Sequence, residues 1–278
     1  MAGSQQAIKA RIRSVKSTKK ITKAMEMIAN AKLAKLRKTM ELNRNYASAL
    51  QSLVEDILST DQDFQSKFFG EHKSDKTFSI LFCSDLGLCG GYNANIVKFA
   101  HENLKKEDPL FIFGTHAYEQ LKREGYNLVN NCAVSVDALD EQRVRQELDR
   151  AIKMYINDEV GKIQVLYTKF INTVTFEPQL NVILPYEKKG TGKSREIIFD
   201  PSIDKVLDSL IEQMIYNVGY ALSMETKTAE QASRRMAMET ASDNADELEE
   251  SLVLQYNKAR QAAITQELTE IVGTANAL

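Results

Sequence analysis

The two ends of this chain lack the residues that interrupt helices. No proline or glycine occurs between Ser4 and Leu58, and beyond Pro201 the only such residues are Gly219 and Gly273. Proline breaks a helix interior and glycine weakens it, so segments free of both favour uninterrupted helices. The whole chain has 4 prolines and 12 glycines in 278 residues. The sequence therefore predicts a long helix at each end.

Apolar residues in the N-terminal segment recur at helical spacing. Steps of three and four residues predict a coiled-coil seam that packs against another helix. We therefore predict residues 1–60 as an N-terminal coiled-coil helix. Its predicted seam has a slip after the first part: Ile8, Ile12 and Val15, then Ile21, Met25 and Ile28, then Leu33, Leu36, Met40, Asn43, Ala47, Leu50, Val54 and Ile57.

The C-terminal segment, 201–278, has a matching pattern. At 1.5 Å per residue a helix of this length spans roughly 110 Å, and propensity alone does not keep such a helix folded in water. We expect it to pair antiparallel with the N-terminal helix and to overhang at its end, where another protein would hold it. Its stripe steps by four and three through Ile211, Ile215, Val218, Leu222, Glu225, Ala229, Ala232 and Met236.

Residues 75–200 follow another pattern, in which short β-rich runs alternate with helical stretches. This alternation predicts a Rossmann-like α/β domain with a mostly parallel sheet, inserted between the terminal helices. The later strands follow one another directly, so we expect an antiparallel edge. The predicted fold class is thus α/β plus a long coiled coil. Predicted strands are 77–83, 110–114, 163–170, 180–186 and 195–199, and predicted helices are 92–107, 115–124 and 139–160.

Charge is segregated along the chain, although the net charge is only −2. Basic residues dominate up to Arg44, whereas residues 243–250 form an acidic block. Helices of opposite charge can pair, and each can also face a different partner. No apolar run approaches the roughly 18 residues of a membrane span, and the N-terminus lacks the apolar run of a signal peptide. We expect a soluble or peripheral protein.

Two glycine-containing segments invite comparison with nucleotide sites. KKGTGKS (188–194) ends like a phosphate-binding loop, but Glu187 stands where that motif needs its first glycine, so a flexible hairpin loop is favoured. SDLGLCGGYN (84–93) follows a strand and opens a helix, where doubly wound folds bind nucleotides. Its glycines lack the G-x-G-x-x-G spacing, and a tight turn explains them better.

The sequence does not argue for an active site, a metal or a cofactor. His72, His101 and His116 lie far apart, without a matched nucleophile or a metal-ligand set. An odd number of cysteines, Cys83, Cys89 and Cys132, without CxxC spacing, favours reduced thiols in a cytosolic compartment.

Three segments carry a specific resemblance to a known family. ITKAMEMIANAK (21–32), SDLGLCGGYN (84–93) and YNKARQAAITQELTEIVGTANAL (256–278) resemble the signature segments of bacterial F-type ATP synthase gamma subunits. They lie at the start, middle and end of the chain, in the family's order and spacing. The resemblance therefore covers the whole chain.

The resemblance implies a non-catalytic rotor. In that family the paired helices lie inside a ring of alternating alpha and beta subunits, and the α/β domain sits with epsilon on the membrane-embedded c-ring. Flow of H⁺ or Na⁺ turns the c-ring, and the rotor then changes the affinities of the beta-subunit catalytic sites. The expected location is peripheral, at the cytoplasmic face of a bacterial cell membrane.

The resemblance also implies contact residues. Arg260 and Gln261 match positions that hydrogen-bond a loop of one beta subunit. Three segments match other contacts: Lys23, Ala24 and Met25 pass the acidic lever region of beta, Asp85 and Cys89 belong to the central loop that approaches the same region, and Phe199, Asp200, Pro201, Ser202 and Ile203 fall near the c-ring and epsilon.

Two other classes of function remain open at this point. One is a coiled-coil adaptor whose α/β domain binds a small ligand at the sheet edge. The other is a helical nucleic-acid-binding protein, because the N-terminal helix is basic. That helix lacks aromatic residues until Tyr46, and its cations are spread round the helix, so a path along acidic protein surfaces explains it equally well.

Overall fold

The computed structural model describes residues 2–58, 66–69, 73–137, 139–186 and 202–275. A long helix lies at each end of the chain, and a small α/β region lies between them in sequence. The elements are α1 (Ala2–Leu58), β1 (Thr77–Phe82), α2 (Tyr92–Asn103), β2 (Leu110–Phe113), α3 (Thr115–Arg123), α4 (Glu141–Ile156), β3 (Lys162–Phe170), β4 (Phe176–Leu184) and α5 (Ile203–Ala275).

The four strands form one mixed sheet in the order β2-β1-β3-β4. Strand β1 pairs in parallel with β2 and with β3, and β4 pairs antiparallel with β3. The helix that follows β1 therefore makes a crossover to β2, whereas β3 and β4 form a hairpin. The antiparallel edge and the Rossmann-like order of the parallel strands agree with the sequence-based prediction.

Side chains alternate between the two faces of the sheet, and helices cover both. On one face, Leu81 and Ile112 pack with residues of α2 and α3. On the other face, Ile80 and Phe113 belong to a larger core that includes residues of α1, α4 and α5. Both faces are thus buried, which explains why β1 and β2 are almost entirely apolar.

One glycine permits the close approach of α4 to α5. A Cβ atom built on Gly219 would lie 2.5 Å from Cδ1 of Leu148, which belongs to α4. A larger residue at this position would therefore require the Leu148 side chain to shift. Helix α4 itself begins at a capped residue, because the Asp140 side chain accepts a hydrogen bond from the Arg143 backbone N–H at 2.8 Å.

The chain divides into two compact units. The helical unit comprises Met1–Asn30 and Arg234–Leu278, and the α/β unit comprises Ala31–Ser233. Within the helical unit the two helices run antiparallel, because residues later in α1 contact residues earlier in α5. The contacts are Gln5 with Ala259, Lys16 with Glu249, Lys19 with Asp246, and Thr22 with Ser242.

The buried face of α1 is an unbroken heptad stripe, so the predicted slip is wrong. Ile21 and Ile28 are exposed and Met25 is only half-buried; the stripe instead runs through Lys19, Thr22, Glu26 and Ala29. Polar and small residues at these positions hid the continuity of the pattern. The stripe comprises Gln5, Ile8, Ile12, Val15, Lys19, Thr22, Glu26, Ala29, Leu33, Leu36, Met40, Asn43, Ala47, Leu50, Val54 and Ile57; the other buried or half-buried residues, Met25, Thr39, Glu55 and Leu58, are sequence neighbours of stripe residues.

Helix α5 is surrounded on all sides over one part of its length. The stripe predicted from Ile211 to Met236 is buried or half-buried throughout. Between Leu222 and Arg234 every other face is also covered, apart from the half-buried Lys227. In the helical unit the buried stripe is shifted, because it resumes two residues after Met236 and runs through Met238, Ser242, Ala245, Glu249, Leu252, Tyr256 and Ala259.

The described strands and helices correspond to segments predicted from the sequence. Each described strand and helix overlaps its predicted range, and their ends differ by a few residues. The predicted strand 195–199 and the loop 188–194 lie outside the described residues. The division into domains 1–60, 75–200 and 201–278 stays a prediction. None of the helices in the described ranges is both long and apolar enough to cross a membrane.

Candidate interaction surfaces

The loop after β1 turns sharply into α2. Two residues adopt left-handed backbone conformations, Leu88 at φ 61° and Gly90 at φ 56°. Glycine tolerates this region without strain, whereas leucine rarely adopts it. The side chains of Leu86 and Leu88 are 65% and 61% exposed. The loop therefore presents two leucines to its surroundings at the carboxyl end of β1.

Asp85 organises this end of the sheet. Its Oδ1 accepts the backbone N–H of Thr115 at 3.1 Å, and its Oδ2 accepts the Ser135 hydroxyl at 2.5 Å and the Asp137 N–H at 3.0 Å. Burial by itself raises the pKa of Asp85, but hydrogen bonds from Ser135 and three backbone N–H groups outweigh it and lower the pKa. The carboxylate is therefore held ionised by the loops around it.

This arrangement bears on the small-ligand alternative. Doubly wound folds bind phosphates at the carboxyl ends of their strands, where a helix N-terminus offers free N–H groups. Here Thr115 begins α3, and its N–H already donates to the Asp85 carboxylate. At the N-terminus of α3, an internal carboxylate thus occupies the position that a ligand anion would take.

Cys89 lies in the same loop but is buried, with 1% of its surface exposed. Its Sγ accepts a hydrogen bond from Nδ2 of Asn93 at 3.4 Å, and its carbonyl accepts the Ser233 hydroxyl at 2.7 Å. The Cys89 side chain therefore supports the loop from inside and ties it to α5. The sequence analysis did not predict that Leu86 and Leu88 are exposed. Two leucines within a glycine-rich turn were the signal that could have indicated it.

Lys23, Ala24 and Met25 lie on α1 in the helical unit. Lys23 and Ala24 are exposed, and Met25 is half-buried. The Lys23 ammonium pairs with the Glu26 carboxylate at 2.9 Å. This hydrogen bond raises the pKa of Lys23, although burial opposes it slightly. The lysine stays charged at neutral pH.

An exposed apolar patch accompanies these three residues. Ile21, Met27 and Ile28 all show large exposed side chains, while the buried stripe beside them contains Lys19, Thr22 and Glu26. This part of α1 therefore has polar residues inside and apolar residues outside. Sequence reasoning missed this patch because it assigned the isoleucines to the seam.

Arg260 and Gln261 lie on α5 just beyond Ala259, the residue whose carbonyl accepts Nε2 of Gln5 at 3.1 Å. Both side chains are exposed. The helix continues to Ala275 and exposes further apolar residues, which are Ile264, Leu268, Ile271 and Val272. We call residues 260–272 of α5 the tip.

The residues predicted near the c-ring and epsilon lie at the boundary of the described ranges. Phe199, Asp200 and Pro201 lie outside the described residues. Ser202 and Ile203 are half-buried at the start of α5. Their assignment stays a prediction.

The described residues offer little for catalysis or metal binding. No group of three or more His, Cys, Asp or Glu within the described ranges could hold a metal ion. His101 pairs with the Glu124 carboxylate at 2.7 Å on the surface, and His72 is outside the described residues. A groove of about 280 Å³ lies between β4 and α5 in the α/β unit, lined mainly by apolar residues such as Ile183, Met214 and Ile215.

Comparison with known proteins identifies the family. The family model described as ATP synthase matches residues 4–278. The ATP synthase gamma chain of Mycoplasma capricolum is 40% identical over 273 residues, which cover 97% of each chain. The gamma chain of Alkaliphilus metalliredigens is 35% identical over 291 aligned positions, which cover all of both chains.

Solved structures share the fold. A chain in the Euglena gracilis mitochondrial ATP synthase, in the structure of its OSCP, F1 and c-ring parts, superimposes with a TM-score of 0.74 at 19% identity, covering 100% of this chain and 95% of that one. A chain in the rotor structure of the same complex gives 0.68 at 18% identity, covering 95% and 100%.

The chain therefore belongs to the ATP synthase gamma-chain family. This confirms the resemblance found in the three sequence segments, and with it the prediction of a non-catalytic subunit of that complex. The fold class of two long terminal helices around a mixed α/β sheet is confirmed as well.

Proposed function

We propose that this chain is the central-stalk rotor subunit of an F-type ATP synthase. It would couple c-ring rotation, driven by H⁺ or Na⁺, to conformational change at the beta-subunit catalytic sites. The observation that carries the proposal is the match of residues 4–278 to ATP synthase gamma chains, and the isoleucines exposed on α1 beside a partly polar seam add a surface for a partner. Exposed apolar surface of this kind favours a protein partner.

The proposed partners are the alpha and beta subunits, epsilon and the c-ring, with no nucleic acid. The protein would be peripheral, at the cytoplasmic face of a bacterial membrane. Residues 1–60 and 201–278 would form the coiled coil, and 75–200 the α/β domain. The proposed beta contacts are Lys23, Ala24, Met25, Asp85, Cys89, Arg260 and Gln261, and the residues proposed near the c-ring and epsilon are Phe199, Asp200, Pro201, Ser202 and Ile203.

Two refinements concern the proposed beta contacts. At the loop after β1, Leu86 and Leu88 are exposed whereas Cys89 is buried, so we infer that the leucines make the side-chain contact. Asp85 and Cys89 would then contribute by fixing the loop. On α1, the exposed patch of Ile21 and Ile28 lies beside Lys23, which suits a partner surface with both apolar and acidic groups.

The first test is co-purification from native membranes through a tag on the α/β domain. Recovery of alpha and beta chains, with ATPase activity that the free chain lacks, is the expected result. Recovery of the chain alone, or with nucleic acid, would contradict the proposed motor.

A second test addresses the tip. Changing Arg260 and Gln261 together to Ala should lower the ATPase turnover of the assembled complex, because Arg260 would lose the planar donor group that suits a loop contact. Helicity of the free chain should not change, since alanine favours helix. The matched control is the double change of Asn257 and Lys258, also exposed on α5, to Ala. Equal turnover in both double variants would contradict the assignment.

A further inference from the structure

The end of β3 extends past its parallel neighbour. Strand β1 ends at Phe82, and its last paired residue opposite β3 is Leu81, which lies across from Leu166. Strand β3 continues to Phe170. The backbone groups beyond Leu166 on this side therefore have no strand from which to take hydrogen bonds, yet buried N–H groups need acceptors.

The antiparallel partner on the other side cannot supply them. Thr168 lies opposite Pro178 of β4, and Phe170 lies opposite Phe176. Proline has no N–H, which suits a pair that exchanges no backbone hydrogen bonds. At such positions the N–H groups of both strands point away from each other. The N–H groups of Thr168 and Phe170 therefore point toward α5.

Two successive residues of α5 accept these N–H groups. The Thr226 hydroxyl oxygen accepts the Thr168 N–H at 3.1 Å, and Oε1 of Glu225 accepts the Phe170 N–H at 3.2 Å. Both α5 side chains are buried. Side chains of a helix thus take the place of a neighbouring strand.

Helix α1 joins the same point. The Arg44 guanidinium donates to Oε1 of Glu225 at 2.8 Å, so one carboxylate oxygen binds both α1 and β3. Burial raises the pKa of Glu225 above its ordinary value, and the Arg44 guanidinium and the Phe170 N–H offset only part of this rise. We call Arg44, Thr168, Phe170, Glu225 and Thr226 the joint. All five belong to the α/β unit.

Directional bonds have a mechanical consequence that apolar packing lacks. Close packing of apolar side chains resists movement of a helix by steric interlocking, but its attraction does not depend on a fixed angle. Hydrogen bonds weaken steeply when their distance or angle changes. Turning α5 about its axis would move Glu225 and Thr226 away from two backbone donors at once.

We propose that Glu225, with Thr226 and Arg44, fixes the rotational position of α5 and α1 against the sheet, so that torque passes between the sheet and these helices without slip. This inference rests on the proposed rotor function. It assigns Glu225 a positioning role in the transmission of torque, without contact to nucleotide or to the catalytic sites.

The test measures torsional stiffness in the assembled complex. The hexamer is fixed to a surface and stalled, and a bead is attached to Lys98→Cys on α2 in a Cys132→Ser background, because both positions are exposed. The variance of the bead angle reports stiffness. We expect E225A/T226V to raise this variance at least twofold. E225Q, which keeps an acceptor but loses the charge, should give a smaller increase, because hydrogen bonds to charged groups are the stronger ones.

Matched variants separate positioning from stability. T226S keeps the hydroxyl and Gln213→Ala changes an exposed residue of α5, so both should keep the wild-type variance. A merely structural role would lower the unfolding midpoint and leave the variance unchanged, and that result overturns the inference. If the double variant does not assemble, the bead-angle variance of E225Q and of T226V tests the inference. Wild-type variance in both of these variants overturns the inference.

The outcomes also distinguish the inference from the proposed function. If the complex with the wild-type chain does not turn the bead during ATP hydrolysis, the rotor proposal fails. If the wild-type bead rotates and every joint variant is as stiff as wild type, only the inference fails. Amide hydrogen exchange at Thr168 and Phe170 in the complex should rise at least tenfold in E225A/T226V, because their acceptors are lost.

Discussion

The two compact units bury very different side chains. The α/β unit packs large aromatic residues on its sheet, with the rings of Phe82 and Phe113 stacked at 5.1 Å between centroids. The helical unit buries no aromatic residue among its described residues, and its buried positions include Thr22, Ala29, Met238, Ser242, Ala245 and Leu252. The energy gained by burial grows with apolar area, at about 25 cal/mol per Å². The first unit therefore gains much more stability per residue from its own core.

The two units are therefore stabilised by different kinds of contact. The α/β unit satisfies its loops internally, as Asp85 shows with its three described hydrogen bonds. The helical unit combines a few apolar residues such as Met238 and Leu252 with ion pairs and small residues along its seam, and it exposes Ile21 and Ile28. Such a pair of helices is weakly held by itself and gains from apolar contacts with other chains. We interpret the weak seam as a consequence of keeping apolar residues for partners.

The largest expected effect contrasts two isoleucines. Ile80 is 1% exposed in the sheet core, and Ile28 is 58% exposed on α1. Ile80→Ala should lower the free energy of unfolding by about 2–5 kcal/mol, because it leaves a cavity. Ile28→Ala should change it by no more than about 0.5 kcal/mol. Urea unfolding of the free chain measures both.

In the complex the order of the two effects should reverse, so that Ile28→Ala weakens association with the alpha and beta subunits more than Ile80→Ala does. Ile28→Ala removes apolar surface that we propose faces a partner, so it should weaken the association of the free chain with alpha and beta subunits. Similar stability losses in the free chain for Ile28→Ala and Ile80→Ala would mean that Ile28 is buried in solution, and the contrast between the units would not hold.

The second prediction concerns Asp85. Replacing it with Asn turns an amide group toward donors, so Thr115, Ser135 and Asp137 cannot all keep their bonds. The free energy of unfolding should fall by about 1–3 kcal/mol at neutral pH, as for other hydrogen bonds to charged groups. Thermal and urea unfolding at pH 7 measure the loss.

The pH dependence of that loss has a definite sign. The pKa of Asp85 is lower in the folded chain than its ordinary 3.8, so its contribution is fully present above that ordinary value and is lost as the pH falls through the folded pKa. The difference between wild type and Asp85→Asn should therefore stay constant from pH 7 to about pH 5 and shrink below about pH 4. A difference that shrinks already near pH 6 would contradict the assigned cause.

Much of the fold could be predicted from the sequence. Absence of proline and glycine located both long helices, and β-rich runs located the four described strands. These signals are local, so they survive without knowledge of tertiary contacts. Helix ends were less accurate: α4 ends at Ile156, whereas its predicted range reached 160. Local patterns do not define where a helix stops.

The interaction surfaces were harder to predict for a physical reason. Hydrophobic periodicity assumes that apolar residues face inward, and α1 violates this assumption around Ile21 and Ile28. The true stripe through Thr22 and Glu26 has a heptad spacing but polar members. Likewise, Cys89 is buried and its neighbour Leu88 is exposed. The backbone turn at these residues determines which side chain faces inward, and the sequence pattern does not show it. Such departures from local rules are expected at functional surfaces.

A third prediction examines the polar seam of the helical unit. The Thr22 and Ser242 hydroxyl oxygens lie 2.8 Å apart, and Thr22 also donates to the Lys19 carbonyl at 3.0 Å. Ser242→Ala should cost about 0.5–1.5 kcal/mol, because one buried hydrogen bond is lost. The double variant Thr22→Val/Ser242→Ala should lose less stability than the sum of the two single variants, because both single changes remove the same hydrogen bond between the two hydroxyl groups. Thermal unfolding of the four chains forms a double-mutant cycle, and additive losses would contradict the coupling.

The smallest effect should come from the ion pairs between α1 and α5. Lys16 and Glu249 lie 3.2 Å apart, with the lysine side chain more than half exposed. Water and salt screen such a pair, so Lys16→Gln should lower the free energy of unfolding by at most about 0.5 kcal/mol at low salt. At about 1 M salt, where the screening length falls to about 3 Å, the effect should vanish. A cycle with Glu249→Gln isolates the pair from effects of either charge alone. A coupling that persists in high salt would show that this seam is less hydrated than its exposed lysine suggests, and the helical unit would then hold itself together as the α/β unit does.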